Sequence, residues 1–435
     1  MADLAPSLCF YGDDFTGSTD ALDALTAAGV RAALLLEASP DALRRLPKVE
    51  AVGLAGMSRA MSPDEMDGHL PEALGFLAAL RPRVLHYKVC STFDSSPTRG
   101  SIGRAMDIGA AIMGNRTMPI IVGAPALGRY VAFGNLFARA GSAPDIHRLD
   151  RHPVMSRHPV TPMGEADLRR HLRSQTDRPI DSTTLVDLEV GRLPTLTDDG
   201  RAVLLDTTSP SHLRTIGRWL DEESRRAPVF CVGSSAVEAA LATEIGGREP
   251  LPALPRASEV GHRFAVVSGS CSPVTARQIE TAAADGFDLH HLDPRRLTDE
   301  GAASEACRSV LEQALTSLAD GRSPLVYTAR GHSEFDPGFS EADRTDVERR
   351  IGAALGTILS GLVERGGLRK VVVAGGDTSG AVARALGLLV LEVVSPLSPG
   401  APLCRGLRAD GSTLEIALKG GQMGDDHFFR RTRDA

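Results

Sequence analysis

The sequence predicts an α/β protein, built as two α/β domains with largely parallel sheets and a cleft between them. Three observations carry that expectation. Short apolar runs alternate with amphipathic helical patterns along the whole chain, the habit of folds whose strands are covered by crossover helices. The 435 residues exceed what one hydrophobic core usually serves. A proline- and glycine-rich stretch without periodicity separates two such series.

The elements come in order. Ser7 to Tyr11 reads as a buried strand, and Ser18 to Ala28 carries Ala21, Leu22, Leu25 and Ala28 at helical spacing before Gly29, suited to end a helix. Ala51 to Ala55, Val84 to Val89, Pro119 to Val122, Val203 to Asp206 and Val229 to Val232 are further strands, each leading into a polar or glycine-containing turn. These make a first domain, 1–248. The segment GGREPLPALPRASEVG holds three prolines and reads as an extended linker over 249–262. Beyond it, Phe264 to Val267, Leu325 to Thr328 and Lys370 to Ala374 are strands, with helices at Thr275 to Ala284, Glu305 to Ala319 and Asp346 to Arg365, in a second domain, 263–435.

Composition narrows the function. A formal charge of -7 provides no basic field to draw the chain to nucleic acid or an anionic membrane. Cys9, Cys90, Cys231, Cys271, Cys307 and Cys404 are scattered singly, which suits reduced thiols in a cytosol rather than zinc or disulfides. The N-terminus has no basic-then-apolar leader pattern, and no stretch reaches the roughly 18 apolar residues that span a bilayer. A cytoplasmic location is expected.

Three junctions in the second half suit an anion. In KVVVAGGDTSGAVARALG a strand ends in Gly375, Gly376, Asp377, Thr378, Ser379 and Gly380 and runs into a helix. Glycines let backbone approach phosphate, successive N–H groups point at it, and the helix N-terminus adds partial positive charge. Neither a Walker A loop nor a dinucleotide fingerprint is present. A tight turn capped by Asp377, Thr378 or Ser379 explains the same residues without a ligand. FAVVSGSCSPVTARQIE repeats the arrangement with Ser268, Gly269, Ser270 and Ser272, so the two loops read as walls of one nucleotide site. LKGGQMGDD forms a third glycine loop after the strand Thr413 to Leu418; there Lys419 either faces phosphate or is a solvated turn lysine.

Two constellations in the first half suit a small polar acceptor. FYGDDFTGSTD sets Asp13 and Asp14 side by side at a strand end, where like charges persist only with compensating hydrogen bonds, a cation or a ligand. They read as a general base or as a magnesium-linked group, or as one helix-terminal charge beside a solvated one. VLHYKVCSTFDSSPTRGSIG delivers Lys88, then Ser91, Thr92, Asp94, Ser95, Ser96 and Arg99. Lys88 or Arg99 can pair with a carboxylate while Asp94 and the hydroxyls meet sugar hydroxyls; a solvated Ser/Thr/Asp turn is the plainer reading. His147, His152 and His158 match no zinc spacing, and no metal site is assigned.

Taken in order, GDDFTGSTDALDAL, the loop from Lys88 to Gly100, HPVTPM, GSCSPVTARQ, GGDTSGAVARALG and LKGGQMG resemble the four-carbon acid sugar kinase family across nearly the whole chain. The resemblance implies an N-terminal domain that binds the sugar acid and a C-terminal domain that binds ATP, with Mg²⁺ on the phosphates and closure bringing a hydroxyl in line for transfer. It places Asp13, Asp14, Lys88, Asp94 and Arg99 in the acid-sugar site, with His158 or Thr161 as a further contact. It makes Ser270 or Ser272, the run Gly375 to Ser379, and Gly420 or Gly421 the nucleotide contacts. The family's usual D-S-T-L-R-G is here Asp94-Ser95-Ser96-Pro97-Thr98-Arg99-Gly100, longer by one residue and carrying a proline. The usual K-S-G-N-F-G is Lys419-Gly420-Gly421-Gln422-Met423-Gly424. The change in the substrate loop points to a shifted acceptor, for example a branched oxo-acid such as 3-oxo-isoapionate. A small-molecule sugar acid is thus the expected partner, and a homodimer is the assembly to test for. The competing readings are a non-catalytic sensor of nucleotide or sugar acid, and a nicotinamide-dependent dehydrogenase of a similar acid.

Overall fold

Buried apolar runs become parallel strands in both halves of the chain. The structure, a computed structural model, describes residues 5–140, 144–158, 160–246, 263–331 and 341–435, without the side chains of 341–345 and 377. The expected linker at 249–262 lies outside the described residues. The chain divides into two units, one of Met1–Ala33 and Pro47–Leu251, the other of Leu34–Leu46 and Pro252–Ala435. Leu34–Leu46 therefore belongs to the second unit although it falls within 1–248.

The strands of the N-terminal half are β1 (Leu8–Gly12), β2 (Ala32–Leu35), β3 (Ala51–Ala55), β4 (Val84–Lys88), β5 (Met118–Ile121), β6 (Arg129–Ala132), β7 (Asn135–Arg139), β8 (Ile146–Arg148), β9 (Ile180–Thr183), β10 (Ala202–Leu205) and β11 (Val229–Gly233). In the first unit β3, β1, β4, β11, β5, β10 and β9 lie side by side, all parallel. Most residues of the inner strands are apolar on both faces because helices cover both sides of such a sheet, whereas the edge strand β9 exposes Asp181. Helix Phe15–Ala27 buries Ala21, Leu22 and Leu25, and helix Pro63–Ala78, opened by a Ser62–Glu65 capping box, buries Leu70, Leu74 and Leu77. Strands β6, β7 and β8 form a separate antiparallel sheet. Asp206, at the end of β10, anchors the turn between β6 and β7 by accepting from the N–H groups of Phe133 (2.6 Å) and Gly134 (2.9 Å).

The second unit contributes β12 (Phe264–Ser268), β13 (Phe287–His291), β14 (Ser323–Tyr327), β15 (Lys370–Ala374), β16 (Leu388–Ser398), β17 (Ala401–Arg408) and β18 (Thr413–Lys419). The order β13, β14, β12, β15, β18 is parallel, and β17 and β16 continue from β18 as an antiparallel meander. Leu34 and Leu35 of β2 pair antiparallel with β16 at Leu391 and Val390. The core packs Phe264, Val266, Ile279, Val372, Phe428 and Phe429 against the sheet. Helix Gly376–Ala385 lies close against helix Glu341–Gly366, where Gly352 and Gly356 face Ala381 and Ala385. No helix of the described residues is long and apolar enough to cross a membrane.

Candidate functional site

Register places the first cluster. Parallel pairing sets Gly12 of β1 beside Lys88 of β4 and Ala55 of β3, so the loops leaving these strands meet at the carboxyl edge of the sheet, where open α/β folds bind ligands. The Asp13 N–H donates to the Lys88 carbonyl (2.9 Å), and the Arg59 N–H donates to the Asp13 carbonyl (3.0 Å). Asp14 is the N-cap of helix Phe15–Ala27; its carboxylate accepts from the Gly17 N–H and the Thr16 hydroxyl, each at 3.0 Å.

Arg59 bridges the two carboxylates. Its Nη2 and Nε donate to Asp13 Oδ1 and Oδ2 at 2.8 and 3.1 Å, and Nη2 lies 2.9 Å from Asp14 Oδ1. This arginine escaped the sequence reading; its one signal is its place just after β3, the strand beside β1. Burial pushes the Asp13 carboxyl up, Arg59 opposes this, and the Asp14 charge adds to it. For Asp14 burial acts in the same sense, but Arg59, Lys88 and the two hydrogen bonds outweigh it and hold the carboxyl below its ordinary value.

Lys88 is 3% exposed. Burial works against its charge, yet Asp14, Asp20 and Asp13 outweigh it, so the ammonium is held above its ordinary range. Room for it exists because position 17 is glycine: a Cβ there would collide with both Asp14 Oδ1 and Lys88 Nζ. Beyond β4, Ser91 is half-buried, and Thr92 exchanges a 3.0 Å hydrogen bond with Cys90 Sγ. Asp94 is buried, and its Oδ1 has no partner among the described residues. Phe93 before it holds φ at +59°, a left-handed backbone uncommon for a bulky residue, which the buried turn imposes. Ser95 turns to His171 Nε2 (2.8 Å).

Other expected contacts point elsewhere. The exposed Arg99 donates to the Ala60 carbonyl, so the cation beside the carboxylate pair is Arg59. His158 Nδ1 accepts from the Thr161 N–H and pairs with its hydroxyl, both at 3.1 Å, and these two bond each other rather than the Asp13–Asp94 cluster.

In the second unit the three glycine loops converge on a cavity of about 230 Å³. Ser270, Gly375, Gly376, Thr378 and Gly421 line it, joined by Glu348 and Ile351 from helix Glu341–Gly366, which no local motif marks. Gly375 has φ +123°, open to glycine, and its N–H donates to the Lys419 carbonyl (2.9 Å). Gly421 approaches so closely that a Cβ would stand 2.6 Å from Ser270 Oγ and 2.8 Å from Ser272 Cβ. Ser272 caps helix Pro273–Ala284, and Ser379 turns back to the Gly375 carbonyl (2.7 Å). Neither they nor Gly420 line the cavity. The side chain of Asp377 lies outside the described residues. Small residues, backbone N–H groups and a helix N-terminus are the chemistry that receives phosphates.

Known proteins resemble both halves of the chain. Residues 8–241 match a sugar-binding N-terminal domain family, and residues 265–429 match a nucleotide-binding C-terminal domain family. A 3-oxo-isoapionate kinase of Paraburkholderia graminis is 47% identical over 98% of this chain and 94% of the relative. A 3-oxo-tetronate kinase of Methylobacterium radiotolerans is 34% identical over 97% of each chain. Among solved structures, a Salmonella typhimurium protein described as a putative tRNA synthase superposes with a TM-score of 0.77 at 25% identity over 98% of both chains. A Haemophilus influenzae protein of the same fold gives 0.70 at 22% identity over 98% of this chain and 99% of that one.

Proposed function

The chain belongs to the four-carbon acid sugar kinase family and is a phosphotransferase acting on a sugar-acid hydroxyl, and from that premise we propose how its residues divide the work. The Asp13–Asp14–Lys88–Asp94 cluster seats the acid, and the cavity between Ser270, Gly375 and Gly421 seats the triphosphate of ATP. The observation that carries this is the Arg59-bridged carboxylate pair beside a buried lysine. The Lys88 ammonium is a donor for the acceptor's carboxylate, and the unmet Asp94 Oδ1 is an acceptor for one of its hydroxyls.

Asp13 takes the hydroxyl proton. Its raised carboxyl makes it the better base, whereas Asp14, held low by Arg59, Lys88, Thr16 and the Gly17 N–H and the more exposed of the two, orients the substrate. No group of three or more His, Cys, Asp or Glu able to hold a metal occurs among the described residues. Where a magnesium ion accompanies the phosphates, Glu348, the carboxylate on the described cavity wall, would hold it. The ion supplies charge neutralisation on the phosphates when bound. Positioning and electrostatics do the rest, through the backbone N–H groups at the start of helix Gly376–Ala385.

The acceptor we propose is a branched 3-oxo acid of the 3-oxo-isoapionate type. The relative with that activity shares 47% identity, against 34% for the 3-oxo-tetronate kinase, and the extra residue with Pro97 lies in the substrate loop. A coupled ADP-release assay across 3-oxo-isoapionate, 3-oxo-tetronates, threonate and erythronate tests this, the phosphorylated carbon being located by NMR. Higher kcat/KM on a linear four-carbon acid would overturn the acceptor. Asp13→Asn is expected to lower kcat at least about a hundredfold, while Asp14→Asn mainly raises the acid's KM. The reverse pattern would exchange the two roles.

A further inference from the structure

The cavity assigned to the nucleotide has a conspicuous lack. Among the described residues that line it none is basic, and Glu348 adds a negative charge. Backbone dipoles and magnesium meet part of a triphosphate's charge, but kinases ordinarily add a fixed cation.

A buried lysine stands directly behind the wall. Lys419 ends β18 with its side chain fully buried, and Nζ donates to Thr275 Oγ1 at 3.0 Å. Thr275 Oγ1 in turn donates to the carbonyl of Gly421, a residue of the cavity wall, at 2.8 Å. The direction of this relay is fixed, because the single hydroxyl proton is spent on Gly421 and Thr275 can only accept from the lysine. Around Nζ lie the rings of Phe428 and Phe429, each centroid 6.0 Å away.

Among the described residues no carboxylate balances the charge. On β18 itself, Glu415 is 4.0 Å from Lys370 of β15. In helix Pro273–Ala284 the basic Arg277 pairs with Asp426, and Asp285 just beyond that helix pairs with His427 and Arg430. In the C-terminal helix Phe428–Asp434, Arg431 reaches Asp425 and Arg433 reaches Asp434. Burial alone therefore acts on Lys419 and pushes it down to about 7.

We propose that Lys419 is the positioning residue of the nucleotide site: through Thr275 it fixes the Gly420–Gly421 loop, and it stands as the counter-charge behind that loop when a nucleotide seats. The Lys419 amine has no anionic partner among the described residues and gains one only with phosphates present, so binding itself favours its charged form. This rests on the reading of the cavity as the nucleotide site, and the test separates the two.

The test is calorimetric titration of the full chain with ADP and Mg²⁺ at pH 8, where the diphosphate is itself deprotonated, in buffers of contrasting ionisation enthalpy. The wild type should take up more than about half a proton per ADP. Lys419→Met, which suits the aromatic surroundings, should take up none and bind about tenfold more weakly. Thr275→Val leaves the lysine in place; it should raise the KM for ATP several-fold with the sugar-acid KM unchanged, and Thr275→Ser should restore it. Equal proton uptake in wild type and Lys419→Met overturns the inference alone. If Lys419→Met does not fold, an unchanged ATP KM in Thr275→Val overturns it instead. Absence of ADP binding by the wild type sinks the nucleotide site and the inference together.

Discussion

Asp13 and Asp14 stand side by side at a strand end because one guanidinium, that of Arg59, meets both carboxylates. Arg59 is 45 positions past Asp14 in the chain, and only the pairing of β1 with β3 brings it back. Arg99 was nominated by its place in a motif, and its guanidinium meets the Ala60 carbonyl instead. Gly17 carries a prediction that belongs to single atoms. A methyl group there would occupy the space of Asp14 Oδ1 and Lys88 Nζ, although alanine suits a helix better than glycine. Gly17→Ala should therefore fold with a melting temperature within a few degrees of wild type while kcat/KM for the sugar acid falls about a hundredfold, the scale of an ångström-sized misplacement. Thermal melts and steady-state rates on the same preparation check it; near-normal rates would remove Lys88 and Asp14 from the acid's seat.

At the scale of elements, strands with continuous apolar sequence were readable within a residue or two, as Ala51–Ala55 and Lys370–Ala374 are, because burial on both faces leaves a local signature. Of the meander only β18 was read, as Thr413 to Leu418, and the transfer of Leu34–Leu46 to the second unit was not legible, since β2 and its antiparallel partner β16 lie far apart in the chain and leave no spacing to read. Phosphate loops sit between these cases. Glycine-rich strand–helix junctions announced themselves, while Glu348 and Ile351 arrive from the flank of a long helix that is amphipathic like any other. Their convergence makes Gly421 the point of closest approach between two loops of the cavity wall. Gly421→Ala would press a methyl group against Ser270 and Ser272, moving the third loop away from the first. The expected result is an ATP KM raised at least about tenfold with the sugar-acid KM unchanged. A parallel rise in both constants would mean that the loop serves the fold rather than the nucleotide.

Across the molecule the two units carry buried ionisable groups that act in different pH windows. In the first unit His171 is pushed down to about 4 by burial, against the pull of Glu165 and Asp94, and its Nε2 accepts from the Gln175 amide (3.0 Å). The folded form thus keeps the ring neutral while the unfolded chain protonates it near 6.5, so His171 costs no stability above that pH and progressively more as pH falls from about 6.5 to about 4. The shift corresponds to up to about 3 kcal/mol. In the second unit Lys419, held near 7, makes the unfolded chain the stronger proton binder between about 7 and 10.5, so its contribution grows with rising pH above neutrality. Asp13, raised by burial, runs the other way and favours the folded state below its own folded value, so a bare stability profile mixes opposite slopes. Paired variants separate them. Urea unfolding of wild type and His171→Gln at pH 7 and pH 4.5 should show the wild type losing about 2 kcal/mol more than the variant on acidification, with no difference in slope between pH 7 and 9. Lys419→Met should show the complement, matching wild type in acid and failing to gain stability from pH 7 to 9. If His171→Gln follows the wild type through the acid range, His171 protonates as readily in the folded protein as in the unfolded chain, and in acid a cation rather than a neutral ring would stand behind Ser95.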